Sequence, residues 1–195
     1  MASISYIRQS KDAKLLLLGI IEEGESRRYT ISEEAYDSIG RLTSHTEITD
    51  STLCDIKYAD ELYRAEKKAL SLLAYADNNE RTLLGKLKRA GFSFDVSTEI
   101  CKKMLSLGYI NERRQLERLI LSEANLKLRG PAKITAYLAS KGYSQKDIRE
   151  VLSSLVDGGE IDFKENAKRL IEKKLPEGSE EEIKGLLYRN GYKIC

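Results

Sequence analysis

Residues 128–143 read LRGPAKITAYLASKGY. Pro131 sits where a first-turn proline is tolerated, because its missing N–H has no intrahelical acceptor there. The run between it and Gly142 spaces its apolar residues by three and four, the pattern of a half-buried helix. Gly142 then closes the segment, since glycine accepts the left-handed conformation that ends helices. With SQKDIREVLSSL (144–155) behind it, the stretch fits two descriptions. It is either half of a DNA-reading helix-turn-helix or one tile of a helical repeat.

The surrounding sequence favours the tile. A shift of 51 residues carries Leu87 to Leu138, Gly91 to Gly142, Phe92 to Tyr143, Ile100 to Val151, Met104 to Leu155, Gly108 to Gly159 and Ile110 to Ile161. The same shift carries Ala65 to Leu116 to Ala167, and Ala69 to Ile120 to Ile171. With the spacing shortened by two, Ile134, Leu138 and Gly142-Tyr143 match Ile183, Leu187 and Gly191-Tyr192. Asn79, Gly130 and Ser179 hold one position before the second helix of each unit, and all three residue types suit an N-cap. Gly91, Gly108, Gly142, Gly158 and Gly191 read as stops. A period near fifty with agreeing caps, stops and core positions predicts stacked helical units.

The first third differs. AKLLLLGIIEEGESRRYTIS (13–32) reads as two extended runs around a turn, a β-hairpin. SEEAYDSIG (32–40) carries a capping signal at Ser32 and predicts a short helix ending near Gly40. RLTSHTEITDS (41–51) is a polar connector into a long helix over 51–76. The expected fold is mainly α, with tandem three-helix repeats after a small N-terminal β-hairpin segment. The expected boundaries are 1–59 for the hairpin, short helix and connector, 60–110 for repeat 1, 111–161 for repeat 2, and 162–195 for a third repeat that lacks its closing helix.

Composition limits the chemistry. The chain has 195 residues, 41% hydrophobic and 33% charged, with a net charge of +2. Residues 1–59 hold 7 Lys/Arg against 10 Asp/Glu, residues 60–176 hold 23 against 17, and residues 177–195 hold 3 against 4. The middle is therefore modestly basic, which fits an anionic partner. Cys54, Cys101 and Cys195 show neither metal nor redox spacing, a usage that fits a reducing cytoplasm. LLLLGII (15–21), flanked by acids, is too short for a membrane span and reads as a buried strand.

No phosphate-cradling glycine loop occurs, and the single histidine, His45, lies in the polar connector without a cysteine nearby. Cys101 falls at the repeat position of Leu152 and reads as a small core residue. Tyr143 and Tyr192 follow helix stops and read as hydrophobic plugs. No catalytic residue, metal ligand or cofactor site is assigned, and the chain is not expected to be an enzyme. The recurring feature is basic. Lys67, Arg118 and Arg169 share one repeat position, and Arg113 and Lys164 share another. With Arg114, Arg129 and Lys133 they make an expected row of positive charge, suited to phosphates or to an acidic protein groove. A solvated charged face is the plainer account of the same residues.

GYINERRQLERLILSEANLKLRGPAKITAYLASKGYSQKDIREVL (108–152) resembles the central block of the RecX family of recombinase regulators. The shared features are Gly108 to Asn111, the basic Arg113-Arg114, Arg129-Gly130-Pro131 and Lys141-Gly142. The likeness spans residues 60–192 and, more loosely, the hairpin. Glu112 stands where the family has Asp, and Gln115-Leu116 where it has Phe-Ala. The resemblance implies an elongated, curved array of repeats. It also implies a cytoplasmic, non-enzymatic, monomeric modulator of RecA that binds in the groove of the RecA–DNA filament. Such a protein restrains filament growth, ATP hydrolysis and strand exchange in recombination and DNA repair, and meets single- or double-stranded DNA within that filament. The competing expectation is an autonomous helix-turn-helix DNA-binding protein, using helices near 131–141 and 144–157 with Ser144, Gln145, Lys146 and Arg149 toward the bases.

Overall fold

The computed structural model describes residues 2–11, 14–40 and 42–193. The predicted hairpin is present as β2 (Leu15–Glu22) and β3 (Glu25–Ser32), joined through Glu23-Gly24. Two further strands, β1 (Ala2–Gln9) and β4 (Glu47–Ile48), complete an antiparallel sheet in the order β3-β2-β1-β4. The sequence reading left both out. β4 is two residues long, and β1 is interrupted by a bulge between Ile4 and Tyr6 that breaks its alternation. Gly19 lies opposite Tyr6, where a Cβ would come within 2.2 Å of the tyrosine ring, so any larger residue would force that ring to move.

Helix α1 (Glu33–Ile39) is capped as expected, with the Ala35 N–H donating to Ser32 Oγ and Gly40 left-handed behind it. A long α2 (Asp50–Tyr75) follows, capped by Thr49. Leu53 and Ile56 on α2 join Ala2, Ile4, Leu18, Ile20, Tyr29, Ile31 and Ile48 in one core. The buried Asp60 fixes α2 to the outer strand: its carboxylate accepts from the Thr30 N–H and from Arg64 Nε, both at 2.8 Å. That bond also covers part of the sheet edge, which would otherwise offer an unpaired donor to another strand.

The remaining helices are α3 (Glu80–Arg89), α4 (Phe94–Ser106), α5 (Glu112–Leu121), α6 (Pro131–Ser140), α7 (Gln145–Asp157), α8 (Phe163–Lys174) and α9 (Glu180–Arg189). Most begin at side-chain caps of the expected kind, such as Ser93, Asn111, Ser144, Asp162 and Ser179. Each such cap contributes about 1 kcal/mol. One stop differs from the sequence reading. After α7 the left-handed residue is Gly159, φ +75°, and Gly158 remains right-handed at φ −75°. Gly159 is the 51-residue counterpart of Gly108, which is also left-handed, so the repeat register locates this stop better than the first glycine after the helix. The last residues of the expected third repeat, Ile194 and Cys195, lie outside the described residues.

Two compact units result. One holds the chain up to Ala76 together with Leu83–Leu107, and the other holds Asp77–Thr82 and the chain from Gly108 onward. In the second unit Leu116, Ile120, Ile134, Leu138, Ile148 and Val151 form one core, while Leu128, Leu170, Leu186 and Tyr192 form another. Cys101, in the first unit, is buried, and Tyr143 and Tyr192 are buried as plugs. Among the described residues no helix is long and apolar enough to cross a membrane.

Candidate partner-binding surface

α5 presents Arg113, Arg114 and Arg118 because Leu116 and Ile120 fix its inner face. All three arginines are exposed. Arg113 Nε meets Glu117 Oε1 at 3.2 Å, and Arg118 pairs with Asp77. Exposed pairs of this kind contribute only about 0–1 kcal/mol, so either arginine can exchange its partner for an external anion. Arg114 has no ion-pair partner among the described residues, and neither do Lys67 on α2 and Lys164 on α8. Arg169, also on α8, donates to Asn166 Oδ1 at 3.3 Å. Asn166 is buried and also bonds Asn125 Oδ1; at the repeat-equivalent position Gln115 donates to the Asn78 carbonyl and accepts from the Tyr143 hydroxyl. The repeat therefore carries a buried amide as well as its basic position.

Two of the sequence-predicted residues have internal partners of a firmer kind. Lys133 Nζ donates to the Arg189 carbonyl at 3.0 Å, so its charge sits on the carboxyl end of α9, where a cation is favoured. Arg129 Nη1 lies 2.5 Å from Glu123 Oε2, and Lys127 Nζ lies 2.6 Å from the other carboxylate oxygen. The Glu123 side chain is only 2% exposed. Removing the cations from so buried a carboxylate costs about 3–5 kcal/mol, several times the worth of the exposed pairs on α5.

Glu123 reaches this place through irregular backbone. Residues Ser122–Leu126 form a π-helical turn, and Leu128 follows with φ +53°. A left-handed leucine costs about 1–2 kcal/mol, offset here by burial of its side chain beside Leu170, Leu186 and Tyr192. The Tyr192 hydroxyl donates to the Leu128 carbonyl at 3.0 Å, which holds the turn in place. With Leu128 pointing inward, Lys127 and Arg129 flank it on the surface. Both lie near the Tyr137 ring, at 5.9 and 5.4 Å from its centroid, and Lys141 lies there too, at 5.5 Å.

Sequence reasoning found Arg129 but missed Lys127, Lys141, Tyr137 and Glu123 as a group. Glu123 and Lys127 have the spacing of an ordinary exposed helix pair, so nothing in the local pattern marks the acid as buried. Glu112 accepts from the Glu80 N–H at 2.8 Å and so caps the start of α3. The side chains expected to read DNA from α7 are engaged along their own helix. Ser144 Oγ caps the Asp147 N–H, Arg149 bonds Gln145, and Lys146 faces Glu150. Among the described residues no group of three or more His, Cys, Asp or Glu is placed to hold a metal ion.

No protein-family model matches the chain. Regulatory protein RecX of Bacillus cytotoxicus is 26% identical over 175 residues, and that of Bacillus cereus is 27% identical over 175. Regulatory protein RecX of Listeria monocytogenes is 23% identical over 162 residues. The two Bacillus alignments cover 89% of this chain and 64% of those proteins, so the chain spans somewhat under two thirds of their length. Among solved structures, a regulatory protein RecX superposes with a TM-score of 0.75 over 99% of this chain and 95% of its own, at 22% identity. RecX from Lactobacillus salivarius gives a TM-score of 0.60 over 69% of this chain and 90% of its own. The chain is thus similar in sequence to proteins named regulatory protein RecX, and its fold, a small antiparallel sheet followed by helices in tandem, is that of the solved RecX structures.

Proposed function

We propose that this chain is a non-enzymatic regulator that binds the RecA–DNA filament through its basic surface. It acts as a monomer in the cytoplasm and restrains ATP hydrolysis, strand exchange and filament growth during recombination and repair. The observation that carries this reading is the alignment of 89% of the chain with proteins named regulatory protein RecX. The exposed cations support it: among the described residues Lys67, Arg114 and Lys164 face solvent without a paired carboxylate, and Arg113, Arg118 and Arg169 hold weak partners. Arg129 and Lys133 contribute from positions fixed by Glu123 and the end of α9.

The test is the ATPase rate of RecA on single-stranded DNA with increasing amounts of the chain. Slowed hydrolysis is expected, weakening as salt rises because exposed charges are screened beyond about 8 Å at physiological ionic strength. Charge reversal of Arg113, Arg114 and Arg118 together is expected to relieve the effect about a hundredfold in concentration, since each lost contact at a polar interface is worth about 1 kcal/mol. Unchanged hydrolysis at saturating protein would overturn the proposal.

A further inference from the structure

The corner at the start of α6 differs from its counterparts elsewhere in the chain. The connections from α2 to α3 and from α8 to α9 contain neither a π-helical turn nor a left-handed non-glycine residue among the described residues. Between α5 and α6 both occur within seven residues, Ser122–Leu126 and then Leu128. π-helical turns and strained backbone concentrate at functional sites, so this outlier is where a ligand is to be sought.

The irregular backbone brings Lys127, Arg129 and Lys141 to one tyrosine ring, each within 5.4–5.9 Å of the Tyr137 centroid. Among the described residues one carboxylate serves them. Glu123 contacts Lys127 and Arg129, while Lys141 has no carboxylate partner among the described residues. Three cations against one acid leave a local excess of two positive charges on a half-buried aromatic base. Gathered around one ring, the like charges repel one another, and an arriving anion relieves that repulsion. Glu123 and Tyr137 hold the cations in place beforehand, which lowers the ordering cost of binding.

We infer that Lys127, Arg129 and Lys141 around Tyr137 form a phosphate-binding site that takes successive phosphates of a nucleic-acid strand. An excess of two charges at one corner matches two adjacent phosphodiesters, each carrying one negative charge. Cations interleaved with an aromatic ring are also the pattern of single-strand tracks. The inference rests on the reading of the chain as a protein that works on a nucleic-acid filament, and it names strand phosphate as the partner of part of that surface.

The experiment uses the whole chain and a labelled single-stranded thymidine oligonucleotide, followed by fluorescence anisotropy across a salt titration. The double variant Lys127→Ala with Lys141→Ala is compared with Lys146→Ala plus Lys168→Ala, which removes the same charge from exposed helix positions elsewhere. The first double is expected to weaken binding about tenfold and to lower the slope of log affinity against log salt by about 1.4, two contacts at ~0.7 each. The second is expected to leave the slope nearly unchanged. Equal losses in both doubles, or none in the first, overturn the site. So does binding of inorganic phosphate alone that is lost in the first double while strand binding is unchanged, which marks a site for the free ion. RecA ATPase read on the same variants separates the two proposals. Inhibition with lysine-independent strand binding removes this site alone, whereas lysine-dependent strand binding without inhibition removes the regulator reading alone.

Discussion

The same joint is made twice in the helical unit, with different chemistry. At the first, Asn79 accepts from the Thr82 N–H through Oδ1 and donates through Nδ2 to the Lys141 carbonyl. The opposing Gly142 faces the flexible Arg81 side chain. At the second, Gly130 replaces Asn79 and the chains meet backbone to backbone. The Gly130 N–H donates to the Asn190 carbonyl at 2.7 Å and the Ala132 N–H to the Gly191 carbonyl at 3.2 Å. A repeat thus conserves the meeting of a helix start with a later helix stop, not the atoms that make it. One joint is bridged by a side chain, and the other exists because two side chains are missing.

Gly191→Ala tests the second joint most severely. A Cβ there would lie 2.4 Å from the Lys133 backbone nitrogen, and the residue holds φ +83°. A loss of about 2–4 kcal/mol is expected, read as a lowered urea midpoint. A loss below 1 kcal/mol would show that the joint yields. At the first joint, Asn79→Ala removes a cap and a buried donor, for an expected loss of about 1–2 kcal/mol in the same assay. Asn79→Asp keeps the cap but turns a buried carboxylate oxygen toward the Lys141 carbonyl, so it should cost at least as much as Asn79→Ala.

The tyrosine after each stop sharpens the contrast. Tyr143 donates to the Gln115 side chain, whereas Tyr192 donates to the Leu128 backbone carbonyl. Burial pushes the Tyr192 phenol up from 10.0 to about 12. Because the folded value is raised, its contribution is complete below pH 10 and disappears as pH climbs through about 12. Tyr192→Phe is expected to cost about 1 kcal/mol at neutral pH and to flatten the alkaline limb, measured as unfolding midpoint against pH. If that limb is unchanged, Tyr192 is not the group responsible.

The smallest effect belongs to the third cap, Ser179. Glu182 returns a capping-box bond to it, and the Ser179 backbone N–H, then its hydroxyl, hold the Glu182 carboxyl below its ordinary 4.5. The folded value being lowered, this contribution is present above pH 4.5 and lost as pH falls through the folded value. Glu182→Gln should make the acid limb slightly shallower, by about 1 °C or less in Tm across that window, and leave neutral-pH binding untouched.

Much of the fold was legible because its signals are local. The caps at Ser32 and Ser179, the hairpin turn and most of the glycine stops each depend on a few neighbouring dihedrals. Tandem repetition then let weak signals support one another. β1 and β4 escaped because a bulged strand and a two-residue strand have no pattern of their own; only pairing across the sheet defines them. In the candidate site the basic positions were visible, but Lys127, Lys141 and Tyr137 were not seen as a group with Arg129. Their meeting depends on a π-helical turn and on Leu128, whose φ is tolerated only because its side chain is buried.

Helix periods, caps and the repeat register are properties of the chain's covalent order, so the sequence by itself determined them. Which charges are neutralised was decided only by the tertiary structure. Asp77 reaches Arg118 across 41 residues, and Lys133 reaches the end of α9 across 56. Glu123 is distinguished from any exposed acid only by its burial. The physical reason is that an ion pair depends on distance in space and on exclusion of water, and neither follows from spacing along the chain.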